Sequence, residues 1–176
     1  FASQRLHRQN HSLLVLRKKI ERAPKLSDKI QIRKGVLMER SLVLIKPNAM
    51  KRQLAGTILS RLEAQGLKIV ALRMRHINKA LARRHYTAHK SKPFFKDLID
   101  YITSSPIVAV VFAGDGAVEA IRRIMGDTNP VKAKPGTLRH DFGLDIQQNA
   151  VHGSDSSESA ETEIKLFFRK DELFDY

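Results

Sequence analysis

The chain has 176 residues, enough for one domain with a sizeable core and short for two, and its 42% hydrophobic and 28% charged residues are those of an ordinary globular protein. No apolar run approaches the roughly 20 residues of a membrane-spanning helix, and the absence of cysteine excludes disulfides and thiolate metal sites. The net charge of +14 is unevenly placed: residues 1–38 hold ten Lys/Arg against two acids, a net +8, while residues 39–176 hold twenty-two against sixteen, a net +6. Overall basicity is therefore a poor argument for nucleic-acid binding, and the moderately basic body suits phosphorylated substrates.

Residues 1–38 lack strand alternation and carry one weak helical patch, Leu13 to Ile20, interrupted afterwards by Pro24 and Gly35. They read as a flexible or partly helical basic arm, with Met38-Glu-Arg-Ser starting the folded body of residues 39–176. A transit peptide, an arm for nucleic acid or another anionic surface, and a segment with no role all fit this composition.

Ser41-Leu-Val-Leu-Ile45 predicts a buried strand stopped by Lys46-Pro47, with Asn48 able to cap the next helix. Leu54, Ile58, Leu59 and Leu62 recur at helical spacing until Gly66. Residues 67–77 alternate from Lys68 onward and read as a long second strand. Asn78 or Lys79 opens a helical piece through Tyr86 to His89, and another helix runs from Pro93-Phe-Phe to about Thr103. Pro106-Ile-Val-Ala-Val-Val-Phe112 is apolar and β-branched, hence a central strand.

Asp115 to Met125 is a helix with Val118, Ile121 and Met125 on one stripe, closed by Gly126. Asp127 to Asp141 contains Pro130, Pro135 and Gly136 and reads as a long ordered loop, a length that favours a functional role. A short fourth strand ends near Val151. Asp155-Ser-Ser-Glu158 then reads as an N-cap with an acid three residues on, opening a helix that buries Ala160, Ile164 and Phe167. This order predicts an α/β or α+β sandwich with one sheet.

Several chemistries can be set aside. No Gly is followed by Lys-Ser/Thr, so the Walker phosphate loop is missing, and Gly114-Asp-Gly116 is better read as a turn into a helix. His85 and His89 have the i, i+4 spacing of a helical metal pair but lack a glutamate between them and a third ligand. His152, Ser154 and Asp155 include hydrolase-triad residue types, yet no Gly-x-Ser-x-Gly elbow accompanies them. Lys46 at a strand end, Arg122 on a helix, and Thr128 and Arg139 flanking the long loop could together surround a polyphosphate. His152 lies just ahead of a helix start, where backbone N–H groups favour anions.

Lys46-Pro47, His85-Tyr86, Pro93-Phe94-Phe95, Gly126-Asp-Thr128-Asn-Pro130, Lys134-Pro-Gly-Thr-Leu-Arg139, Asp141-Phe142 and Asn149-Ala-Val-His152-Gly-Ser-Asp155-Ser resemble the nucleoside diphosphate kinase family over residues 39–176. His-Gly-Ser-Asp-Ser is that family's active-site signature. The resemblance implies a ferredoxin-like four-stranded antiparallel sheet covered by helices. It also implies ping-pong transfer of the γ-phosphate of ATP or another NTP to an NDP through phosphohistidine on His152. By the same resemblance Glu163 holds the His152 ring, Ser154 sits beside it, Lys46 contacts the γ-phosphate and ribose, and Tyr86 lies near the transferred phosphoryl. Arg122, Thr128 and Arg139 match the phosphate binders, Asn149 the ribose contact and Phe94 the base-stacking aromatic.

The implied Mg2+ is held mainly by the nucleotide, with no direct protein ligand and Asp155 the nearest candidate, through water. A cytoplasmic homo-oligomer is implied, a hexamer favoured over a tetramer; the chain ends at Tyr176, before the C-terminal tail that many relatives use between subunits. Asn48 departs from the family's usual Asp. A nucleic-acid-binding module and a histidine-dependent nucleotide hydrolase are the competing readings, and a binding module would not require Lys46, Tyr86, Arg122, Arg139 and His152 together.

Overall fold

The computed structural model describes residues 38–176. The expected basic arm, residues 1–38, lies outside the described residues except for Met38.

Four strands, β1 (Glu39–Ile45), β2 (Lys68–Arg75), β3 (Ile107–Gly114) and β4 (Val151–Gly153), form one sheet in the order β2-β3-β1-β4 with antiparallel pairing throughout. The helices are α1 (Pro47–Lys51), α2 (Ala55–Glu63), α3 (Lys79–His85), α4 (Phe95–Ile102), α5 (Ala117–Met125), α6 (Leu138–Phe142) and α7 (Ser157–Phe167). The expected α+β sandwich on a four-stranded antiparallel sheet is what the chain adopts.

The apolar runs of β1 and β3 reflect burial on both sheet faces. Leu42 and Leu44 point with Ala109 and Val111 into a core completed by Ala82 of α3, Ile99 and Ile102 of α4, and Ala160, Ile164 and Phe167 of α7. Val43 and Ile45 point with Val108, Val110 and Phe112 into a second core closed by Ile58 and Leu62 of α2, Ile121 and Met125 of α5, and Leu138 of α6. Side chains alternate across a strand, so β1 contributes to both cores. Burying each Leu, Ile or Phe is worth about 1.5–3 kcal/mol, which makes these two apolar layers the main support for the strand ends that carry Lys46 and His152.

Several local expectations need correcting. Asn48 does not cap a helix: Lys46 occupies the cap position of α1 without a side-chain bond, Pro47 supplies the first turn, and the Asn48 amide donates instead to the Gln148 carbonyl at 2.8 Å. The β2 alternation is offset by a register shift between Ile69 and Ala71, which buries Val70 and Ala71 in succession, and the strand ends at Arg75 rather than Ile77. The segment 127–141 is not loop throughout, because α6 begins at Leu138. β4 extends past Val151 to Gly153, so His152 is a strand residue. Ser156, not Asp155, caps α7, its hydroxyl accepting from the Ser159 N–H at 3.1 Å.

Candidate active site

His152 reaches its position through β4, where it pairs with Leu44 of β1. The adjoining glycine is required by packing: a Cβ on Gly153 would lie 2.5 Å from Met125 Sδ and 3.0 Å from Ile121 Cγ2 of α5. The residue before β4 is unusual as well. Ala150 holds φ at +68°, and the Val151 N–H donates to the Asn149 carbonyl at 2.8 Å, closing a three-residue turn that is costly for a residue with a Cβ.

The imidazole is oriented from one side only. His152 Nε2 lies 3.1 and 3.2 Å from the two carboxylate oxygens of Glu163, which α7 brings back across the sheet end. Glu163 is itself fixed, since the Ser154 hydroxyl donates to its Oε2 at 2.7 Å and the Leu42 backbone N–H donates to Ser154 Oγ at 3.2 Å. Ser154 is buried, so this bond is not exchanged for water. A carboxylate against Nε2 selects the tautomer with its proton there. Nδ1 then keeps its lone pair, and it has no hydrogen-bond partner among the described residues. The ring is about a fifth exposed, enough for a ligand to reach it.

Lys46, from the end of β1, is buried, with its Nζ 2.7 Å from Asn149 Oδ1. Burial pulls its ammonium down to about 7, the Arg139 charge adds to the effect and Asp145 opposes it. Arg139 of α6 donates to the carbonyls of Gly126 and Val151 at 3.0 and 3.3 Å, while its Nε is buried without a partner. Burial, then the Arg122 charge, lower its guanidinium to about 10. Thr128 Oγ1 is 3.4 Å from Arg139, and Arg122 is exposed on α5. A buried cation, Lys46, and a partly buried one, Arg139, gain from an anion that replaces their lost hydration.

Tyr86 follows α3, its ring centroid 6.0 Å from that of His152 and its hydroxyl buried without a partner; burial raises its pKa. Phe94, at the start of α4, is half exposed, and the His89 ring lies between it and Tyr86, 5.8 Å from Phe94 and 6.3 Å from Tyr86. Asn149 is buried, donating to the carbonyls of Thr128 and Ile146 at 3.0 Å and accepting from Lys46. Asp155 is exposed just beyond β4, its carboxyl held below the usual range chiefly by the Ser159 hydroxyl, with a contribution from the Arg122 charge.

His85 is the residue that sequence reasoning missed as part of this cluster. Its i, i+4 relation to His89 points to the wrong partner, because α3 ends at His85 and a 3-10 turn (Thr87–His89) follows. His85 packs edge-on against His152, ring centroids 4.5 Å apart, and against Phe167 at 5.4 Å. Both of its ring nitrogens are buried without partners, and burial, then the charge on His152, hold its pKa well below the ordinary value. One donor atom each from His85, His152 and Glu163 lie within 4.8 Å of one another.

A family model described as nucleoside diphosphate kinase matches residues 39–173. The chain is similar to the nucleoside diphosphate kinase of Dehalococcoides mccartyi, 54% identical over 139 residues, covering 79% of this chain and 98% of that protein. It is 51% identical to that of Archaeoglobus fulgidus, with 79% and 92% covered. Among solved structures, the Halobacterium salinarum nucleoside diphosphate kinase in complex with CDP superposes with a TM-score of 0.77 at 44% identity, covering 79% of this chain and 93% of that one. The Aquifex aeolicus nucleoside diphosphate kinase gives 0.76 at 38% identity, covering 78% and 99%.

Proposed function

The chain belongs to the nucleoside diphosphate kinase family, enzymes that move a phosphoryl group between a nucleoside triphosphate and a nucleoside diphosphate, and from that premise we propose that His152 is the residue that carries the group between them. The observation behind this reading is the one-sided hold on the imidazole: Nε2 is committed to Glu163, and Glu163 is committed to Ser154.

The reaction then has two half-steps. The Nδ1 lone pair attacks the γ-phosphorus in line with the bond to the β-phosphate oxygen, which breaks as the Nδ1–P bond forms. The nucleoside diphosphate leaves, and the charge growing on the ring is met by the Nε2–H bond to Glu163. A terminal oxygen of a second nucleoside diphosphate attacks the same phosphorus and the Nδ1–P bond breaks, which restores the neutral ring.

Lys46, Arg122, Arg139 and Thr128 take the non-bridging oxygens in this reading. The Lys46–Asn149 pair offers a donor and an acceptor to ribose hydroxyls, the Tyr86 hydroxyl lies beside the transferred group, and Phe94 stacks on the base. Stacking ignores the base edge, which accounts for use of several nucleotides. Asp155, which feels the Arg122 charge, is the carboxylate taken as nearest to the metal. That suits magnesium, a hard cation that keeps several waters and binds chiefly to substrate phosphates, with Asp155 reaching it through water. When bound, it would neutralise developing phosphate charge.

The assembly is proposed as a homo-oligomer, a hexamer in preference to a tetramer. Leu72 and Met74 support self-association, standing 50% and 61% exposed on the edge strand β2. The nucleotide pool that such an enzyme serves favours a cytoplasmic setting. No helix among the described residues is long and apolar enough to cross a membrane.

The deciding experiment incubates the protein with γ-labelled ATP and magnesium and isolates it. The expected label is acid-labile, alkali-stable, and chased off by an unlabelled nucleoside diphosphate. His152→Ala should take up none; equal labelling of that variant would refute the assignment.

A further inference from the structure

The geometry points to a transition-metal site formed by His85, His152 and Glu163, at which a borderline cation such as Zn2+ binds and arrests the enzyme. The ligand set differs in kind from that of magnesium. Two imidazole nitrogens and one carboxylate oxygen suit zinc, copper or nickel, whereas magnesium prefers oxygen donors.

Distances favour the assignment. Four-coordinate zinc with bonds of about 2.0–2.1 Å places its donors roughly 3.4 Å apart. His152 Nε2 already stands 3.1 Å from Glu163 Oε2, and all three donor atoms lie within 4.8 Å. Binding therefore requires the His85 nitrogen to approach the other two donors from within 4.8 Å.

The independent observation is His85 itself. A buried imidazole with both nitrogens unpartnered is a costly arrangement. Nothing in the phosphoryl-transfer reaction uses those nitrogens. Lys46 adds charge that opposes a dication, and the Glu163 carboxylate facing His152 supplies the negative charge that offsets it. His152, being partly exposed, leaves a fourth position for water.

Binding carries a defined proton change. The metal takes the Nε2 lone pair, so the Nε2 proton now shared with Glu163 is released to solvent. Glu163 turns its charge to the metal and can no longer offset the positive charge that grows on the His152 ring during attack. The effect on turnover rests on the phosphohistidine reading; the binding itself does not.

Cobalt(II) reports on such a site because four-coordinate Co2+ absorbs strongly in the visible while six-coordinate Co2+ does not. Adding Co2+ to the full chain should give intense bands saturating at one equivalent and lost on adding zinc. His85→Phe keeps the buried ring and should remove the bands; His152→Asn should do so as well and carries the test if the first variant fails to fold. Wild-type protein without bands, or bands surviving in the folded variants, would overturn the site. In parallel, one equivalent of zinc in excess magnesium-ATP should slow labelling of wild-type protein at least tenfold, reversed by a chelator. Unchanged labelling would overturn the inhibitory role, while a protein that never labels without zinc would instead count against the phosphohistidine reading.

Discussion

The Ser154 hydroxyl donates to Glu163 Oε2 at 2.7 Å from a position without solvent exposure, and the same carboxylate faces His152 Nε2. Serine thereby sets where the acid points, and the acid sets which imidazole nitrogen is free. Ser154→Ala removes one bond to a carboxylate, a loss of about 1.5–3 kcal/mol for such bonds. The expected outcome is a fall in kcat of roughly tenfold to a hundredfold with KM for the nucleotide little changed, checked by steady-state kinetics. A change confined to KM would mean that Ser154 acts on binding instead.

Lys46 yields a prediction with a defined pH window. Its folded-state value of about 7 lies below the ordinary 10.5, so between these limits the unfolded chain binds more protons than the folded one. Unfolding free energy should therefore rise with pH from about 7 towards 10.5, the cost of the buried ammonium being complete below 7. Lys46→Met should flatten that rise and add about 1 kcal/mol of stability at pH 6, while activity falls at least a hundredfold. Urea unfolding at several pH values, with and without nucleotide, reads both effects; an unchanged slope in the variant would show that another group titrates.

Ala150 offers a test of stored backbone strain. Its φ of +68° costs about 1–3 kcal/mol for a residue with a Cβ, against 0.5–1 kcal/mol of extra chain entropy for glycine. Ala150→Gly should then stabilise the protein by about 1 kcal/mol and Ala150→Val should destabilise it by about 2 kcal/mol. Thermal unfolding of the two variants distinguishes strain from packing, because a packing role would make both destabilising.

Removal of residues 1–37 should leave turnover within about twofold of the full chain, since every group assigned to phosphoryl transfer lies between Lys46 and Glu163. The comparison of kcat/KM for the two proteins checks this, and a large loss would give the basic segment a part in the reaction.

The larger elements are legible in the sequence because their signals are local. Leu42 to Ile45 and Ile107 to Phe112 are apolar runs of strand length, and Val118, Ile121 and Met125 mark one helix face. Finer points fail where neighbouring residues compete for one role. Asp155 and Ser156 are both good cap residues, and their order in sequence does not say which one turns its oxygen to the helix. The offset at Val70 and Ala71 depends on pairing with β3, which is a long-range matter. Asn48 reads as a cap from its place after Pro47, whereas Tyr101 donates to its Oδ1 at 2.6 Å and draws it elsewhere. Among the candidate site residues, the motifs single out His152, Lys46 and Arg139. His85 escapes because helical spacing implies a partner at His89 only if the helix continues that far.

The strand β1 has a consequence for how the molecule comes apart. Leu42 and Leu44 belong to one core and Val43 and Ile45 to the other. Departure of this strand from β3 would open both layers at once. The described body should therefore lose both cores in a single cooperative transition. Lys46 ends the same strand and His152 pairs beside it, so inactivation on heating and global unfolding should share one midpoint.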